Sequence, residues 1–133
     1  MATTLITLRF SVPGGTLALQ PSTLAIIIVA TLHAGFFVLE SVLWTSPKVR
    51  RIFGTTKEEA QATRVLALNQ GFYNLGAAAL LIWFHTTDNT AGVMGVLLFL
   101  AGMGLVGAIT ANWRIILFQT VPAITAFLLL YLI

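Results

Sequence analysis

The sequence predicts an all-α fold: an integral membrane four-helix bundle with both termini on the extracytoplasmic side. Three observations carry this reading. The chain is 58% hydrophobic and only 8% charged, against about 25% charged in soluble domains. Its apolar residues gather into four runs long enough for a hydrocarbon core of about 30 Å. Six of the seven Lys and Arg residues fall in or beside two of the connecting loops, with Arg9 alone on the other side. That asymmetry places both loops in the cytoplasm. At 133 residues the chain is read as one transmembrane domain, 1–133. The absence of cysteine excludes disulfides and thiolate metal sites. A net charge of +3 does not point to nucleic acid, because the cations cluster where they set topology. The expected partner is the lipid bilayer.

Residues 1–21 read as an interfacial arm. Leu8, Phe10 and Val12 alternate with Arg9 and Ser11, a strand-like period, and Pro13-Gly14-Gly15 breaks it. These residues lack the uninterrupted apolar core of a removable signal peptide. The first span, about 22–44, opens at Pro21-Ser22, reaches an aromatic-belt position at Trp44 and is closed by Pro47. The loop Thr45 to Thr63 carries Lys48, Arg50, Arg51 and Lys57. Within it Thr55 or Thr56, followed three residues later by Glu58 or Glu59, is a capping-box pattern. A helix should start near Lys57 and continue into the second span, about 64–85. A polar turn, Thr86 to Ala91, leads to the third span, about 92–110. Ala111-Asn112-Trp113-Arg114 then forms a tight hairpin to the fourth, about 115–133.

Gly104 and Ala108 have the small-xxx-small spacing of closely packed membrane helices, and Gly71, Gly76, Ala77 and Ala78 offer the same in the second span. Pro122 should kink the fourth span and free the carbonyl of Phe118.

The polar residues inside these spans are the candidate site. Asn69-Gln70-Gly71-Phe72-Tyr73-Asn74 interrupts an apolar run, where polar groups lack water and must find protein, substrate or trapped water. Asn69, Gln70, Tyr73 and Asn74 fall within roughly 140° of helical arc. In the first span His33, Phe37, Glu40 and Trp44 share one stripe. Helical rise puts Glu40, Asn69, Gln70 and Gln119 in one layer about 6–9 Å inside the helix ends, with His33 and Asn74 deeper at about 15 Å. Thr110 and Trp113 would close the layer's edge. A carboxylate facing hydrocarbon costs at least about 2.5 kcal/mol, so Glu40 should face the bundle interior. One Glu and one His are too few strong ligands for a metal site, and no cofactor is expected.

The strings Glu40-Ser-Val-Leu-Trp44-Thr45, Arg51-Ile-Phe53-Gly54 and Asn69-Gln70-Gly71-Phe-Tyr73-Asn74, with Gly107, Gln119 and Pro122-Ala123, resemble domain-of-unknown-function family 1304. The resemblance covers roughly residues 25–130. It implies a four-span, multi-pass protein of the bacterial inner membrane and carries over no activity.

Three functions fit these residues. The first is a membrane-embedded enzyme acting on a small apolar molecule by hydration, epoxide opening or isomerisation. Glu40 would be its acid or base and His33 or Tyr73 a second proton-transfer group. Asn69, Gln70, Asn74, Trp44, Trp113 and Gln119 would bind or polarise substrate. The second is a proton- or cation-coupled transporter or channel subunit, assembled as a homo-oligomer. The third is a packing partner using its glycine-rich third span. Amides directed at one carboxylate, rather than a line of charges, favour the first.

Overall fold

The computed structural model describes residues 7–13 and 15–132. The expectations for residues 1–6 and for Ile133 lie outside the described residues. The strand-like alternation at the N-terminus becomes a hairpin: β1 (Leu8–Val12) pairs antiparallel with β2 (Gly15–Leu19), Leu8 opposite Leu19 and Val12 opposite Gly15. The expected break after Val12 is where the chain reverses. The hairpin is an addition to an otherwise helical bundle.

Helix α1 (Pro21–Phe37) runs on through a π-helical turn (Val38–Val42). Then follow α2 (Pro47–Phe53), α3 (Lys57–Ala62), α4 (Arg64–Thr86) and α5 (Thr90–Thr110). A second π-helical turn (Ile116–Thr120) leads into α6 (Val121–Leu132). Pro21–Val42, Arg64–Thr86 and Thr90–Thr110 are long and apolar enough to cross a membrane, and Ile116–Leu132 is a shorter apolar helix.

Local chemistry accounts for the ends. Pro21 occupies the first turn of α1, where its missing N–H costs nothing. Pro47 starts α2 rather than closing the span before it. Ser46 caps that helix, its side chain accepting from the Val49 amide, and Gly54 closes it at φ 68°. The expected capping box forms at α3. Thr56 Oγ1 accepts from the Glu59 amide at 3.1 Å, and Glu59 Oε2 accepts from the Thr56 amide at 2.8 Å. This helix does not continue into the next span as expected. Thr63, at φ −95° and ψ 4°, separates α3 from α4. Asn89 caps α5 by accepting from the Gly92 amide at 2.9 Å.

The four long elements form a ring: α1 packs on α4 and α6, and α5 on α4 and α6. In α1 the buried residues Ile26, Val29, Ala30 and His33 follow the i, i+3, i+4, i+7 stripe that faces a core. Ile26, Val29 and Ala30 form one core with Leu81, Val93, Leu97, Leu100, Ala123 and Ala126 of the other helices.

Two glycines permit the closest approaches. A methyl group at Gly71 would collide with Ser41 Oγ and lie 3.1 Å from the Phe37 carbonyl oxygen. At Gly104 it would collide with Thr120 Oγ1 and lie 3.0 Å from the Thr120 amide. Gly76, by contrast, has nothing within 4 Å, so it packs on no neighbour within the chain. Each π turn is thus seated on a glycine of the adjacent helix. The second also answers the expectation at Pro122. Proline cannot return a hydrogen bond to Phe118, and the preceding turn takes the wider register, with the Val121 amide bonded to the Ile116 carbonyl.

Candidate functional site

The first π turn carries the acidic residue and the second the long amide. A π turn is an α-helix with one residue inserted, and such turns recur at functional sites. Here the insertion places Glu40 against α4, where Asn74 Nδ2 donates to Glu40 Oε2 at 2.8 Å. Oε1 makes no hydrogen bond among the described residues. Asn74 is buried on the same face of α4 as Ala67, Gly71, Ala77, Ala78 and Leu81. Beside this pair, Ser41 Oγ donates to the Leu68 carbonyl at 3.1 Å. A glycine, an amide and a hydroxyl therefore fix the carboxyl group to the bundle.

His33, two turns before Glu40 on α1, is fully buried. Its Nδ1 lies 2.8 Å from the Val29 carbonyl. A carbonyl only accepts, so Nδ1 carries the proton and Nε2 presents a lone pair. That Nε2 is buried and has no partner among the described residues. The ring edge meets Phe36 at 5.4 Å between centroids.

Glu40 and Asn74 come together more directly than the depth estimate allowed, which had put Asn74 a layer deeper. The estimate counted backbone rise alone, whereas on antiparallel helices each side chain leans toward its own helix's N-terminus, so Glu40 and Asn74 lean toward each other. Gln119 does not reach this pair. Its Nε2 donates to the Leu100 carbonyl at 3.1 Å, and Thr120 Oγ1 donates to the Ala101 carbonyl at 3.2 Å. Both tie the second π turn to α5.

The remaining members of the expected site are elsewhere in the single chain. Asn69, Gln70 and Tyr73 are exposed and make no hydrogen bond among the described residues. The 140° arc estimated for these four residues is sound, but only its Asn74 edge enters the bundle. Trp44 serves as a clamp: its Nε1 donates to Thr63 Oγ1 at 3.1 Å, and its ring packs 5.0 Å from that of Phe53. This fastens the end of the first span to the α3–α4 junction. Trp113 is exposed, with the Arg114 guanidinium 5.7 Å from its ring centre. Ser41 and Thr120 were not anticipated. Each directly follows the polar residue that composition singles out, Glu40 or Gln119, and each seats against a glycine.

Among the described residues no group of three or more His, Asp or Glu converges. Two concavities, about 520 Å³ beside α3 and about 620 Å³ between α1 and α4, do not include Glu40 in their linings. Glu40 is half-buried instead. The arrangement offers one carboxyl oxygen for proton exchange and one buried imidazole acceptor on the same helix.

In comparison with known proteins, the family described as "Protein of unknown function (DUF1304)" matches residues 27–131, nearly the whole chain. No curated protein and no solved structure is similar to it.

Proposed function

The chain belongs to the DUF1304 family, and from that premise we propose that it binds and converts a small lipid-soluble molecule at Glu40. The observation that supports this is the Asn74–Glu40 hydrogen bond of 2.8 Å inside a bundle of membrane-length helices. It fixes one carboxyl oxygen and leaves Oε1 to give or take a proton. His33 Nε2, the buried acceptor on the same helix, would hold a hydroxyl or water of the bound molecule. Epoxide opening, hydration and double-bond isomerisation need only such groups. In the same reading the protein is multi-pass in the bacterial inner membrane, with the loop carrying Lys48 to Lys57 in the cytoplasm and both termini outside.

Proteoliposomes in deuterated water, given a panel of lipid-soluble epoxides and unsaturated ketones, test the reading. The expected result is hydration or deuterium incorporation with the native chain and its loss with Glu40→Gln. Equal turnover by both would remove Glu40 from the chemistry. Glu40-dependent proton flux without turnover would move the function to transport.

A further inference from the structure

Helix α4 carries a second, unused seam. Leu66, Asn69, Tyr73, Gly76, Leu80 and Trp83 follow one another at spacings of 3, 4, 3, 4 and 3. That is the heptad rhythm of two helices wound around each other. Every one of the six is exposed in the single chain, Leu66 at 70%, Tyr73 at 71% and Trp83 at 64%. The seam lies on the far side of α4 from Ala67, Gly71, Asn74 and Ala78, which face the bundle. At its centre Gly76 has nothing within 4 Å, so a second backbone can come close there.

The polar members make an occupant necessary. By helical rise Asn69 lies about 7.5 Å and Tyr73 about 13.5 Å inside Arg64, within the hydrocarbon of a bilayer about 30 Å thick. Neither makes a hydrogen bond among the described residues, and an unpaired amide or phenol in hydrocarbon costs several kcal/mol. The chain's own helices do not cover this length of α4. Helix α5 meets α4 near the turn, where Gly92 lies against the Phe84 ring. The opposite end of α5 is seated on the second π turn through Gly104.

The side-chain chemistry says what covers the seam. Two copies inserted in the same orientation are related by a two-fold axis along the membrane normal, so residues near the axis meet their own copies. An amide and a phenol each both donate and accept, and so can pair with themselves, whereas a carboxylate or an ammonium cannot. The seam contains amide, phenol, glycine and apolar residues and no charge. We propose that the protein is a parallel homodimer built on the Leu66–Trp83 seam of α4, with Asn69 and Tyr73 hydrogen-bonded to their copies and the helices crossing at Gly76. The proposal is independent of any chemistry at Glu40.

The chain has no cysteine, so single cysteines test the proposal in native membranes. Tyr73→Cys and Gly76→Cys, treated with a mild oxidant, should give a disulfide-linked band at twice the 14.3 kDa chain mass. Ile82→Cys, exposed on another face of α4, and Gly102→Cys, exposed on α5, are the controls. Because a disulfide needs Cα atoms within about 7 Å, the seam positions should link on the order of ten-fold more than the controls. Adding Gly76→Ile to Tyr73→Cys should cut the yield. The proposal is overturned if neither seam cysteine links, or if Ile82→Cys or Gly102→Cys links as well as they do.

Discussion

Asn74 Nδ2 donates to Glu40 Oε2 at 2.8 Å, joining residues 34 positions apart across the seam between the first π turn and α4. The contact also bears on stability. Asn74→Leu leaves the carboxyl group half-buried without its donor and should lower bundle stability by about 0.6 kcal/mol, the average for hydrogen bonds between membrane helices, and by no more than about 1.7 kcal/mol. Reversible unfolding in mixed detergent micelles reads this directly. A neutral substitution would mean the bond adds nothing to stability.

His33→Leu should separate stability from function. It removes a buried imidazole whose Nε2 has no partner among the described residues. Relief of the orphan acceptor, about 1–3 kcal/mol, offsets the loss of the Nδ1 bond to the Val29 carbonyl, about 0.5–1.5 kcal/mol. The same unfolding assay should therefore change little, while turnover in proteoliposomes falls. A large loss of stability would make His33 a packing residue.

Glycines that look alike in sequence should respond in opposite ways. Gly71→Ala forces a methyl group against Ser41 and the Phe37 carbonyl, and overpacking of this kind costs about 1–3 kcal/mol. Gly76→Ala meets nothing within 4 Å in the single chain and, at detergent dilutions where the chain is monomeric, should gain up to about 1 kcal/mol from helix propensity. Equal effects at the two sites would contradict the seating of the π turn on Gly71.

The capping box of α3 should be sensitive to acid. The Thr56 amide, followed by the Thr56 side chain, holds the Glu59 carboxyl below its ordinary value. A carboxylate depressed in the folded state contributes stability above its unfolded pKa of about 4.3 and loses it as the pH falls through the folded value. Protection of the Thr56 amide, measured against its intrinsic exchange rate at each pH, should therefore be high at neutral pH and fall below about pH 4. Glu59→Gln should flatten that dependence.

Trp44→Phe keeps an aromatic ring against Phe53 but removes the N–H that Thr63 accepts. A loss of about 0.5–1.5 kcal/mol is expected for one such bond, together with faster proteolysis of the segment between α2 and α4. Unchanged proteolysis would show that the ring contact alone holds the loop.

The helical spans were legible because length and apolar composition are one-dimensional properties. The box at Thr56–Glu59 was legible because its two partners are three residues apart. The sequence also singled out Glu40 and Asn74, since a carboxylate and an amide within apolar runs need partners. It did not reveal that they meet, which depends on an inserted residue widening the turn at Val38–Val42. Nor does spacing along α4 reveal which edge of a polar arc enters the bundle; the facing of Asn69 and Tyr73 is decided by where Gly71 lets α1 approach.

A π turn converts chain length into side-chain direction. Deleting Val38 or Leu39 would return that turn to α geometry and move Glu40 off the angle it holds against Asn74, while the helix beyond the turn keeps its phase, since a π turn winds its extra residue into a single turn. Trp44 would keep its bond to Thr63 while Glu40 lost its bond to Asn74. The position of the carboxyl group is thereby guarded by the number of residues in the turn, so a single-codon deletion there would displace the site more thoroughly than most substitutions at Glu40's neighbours.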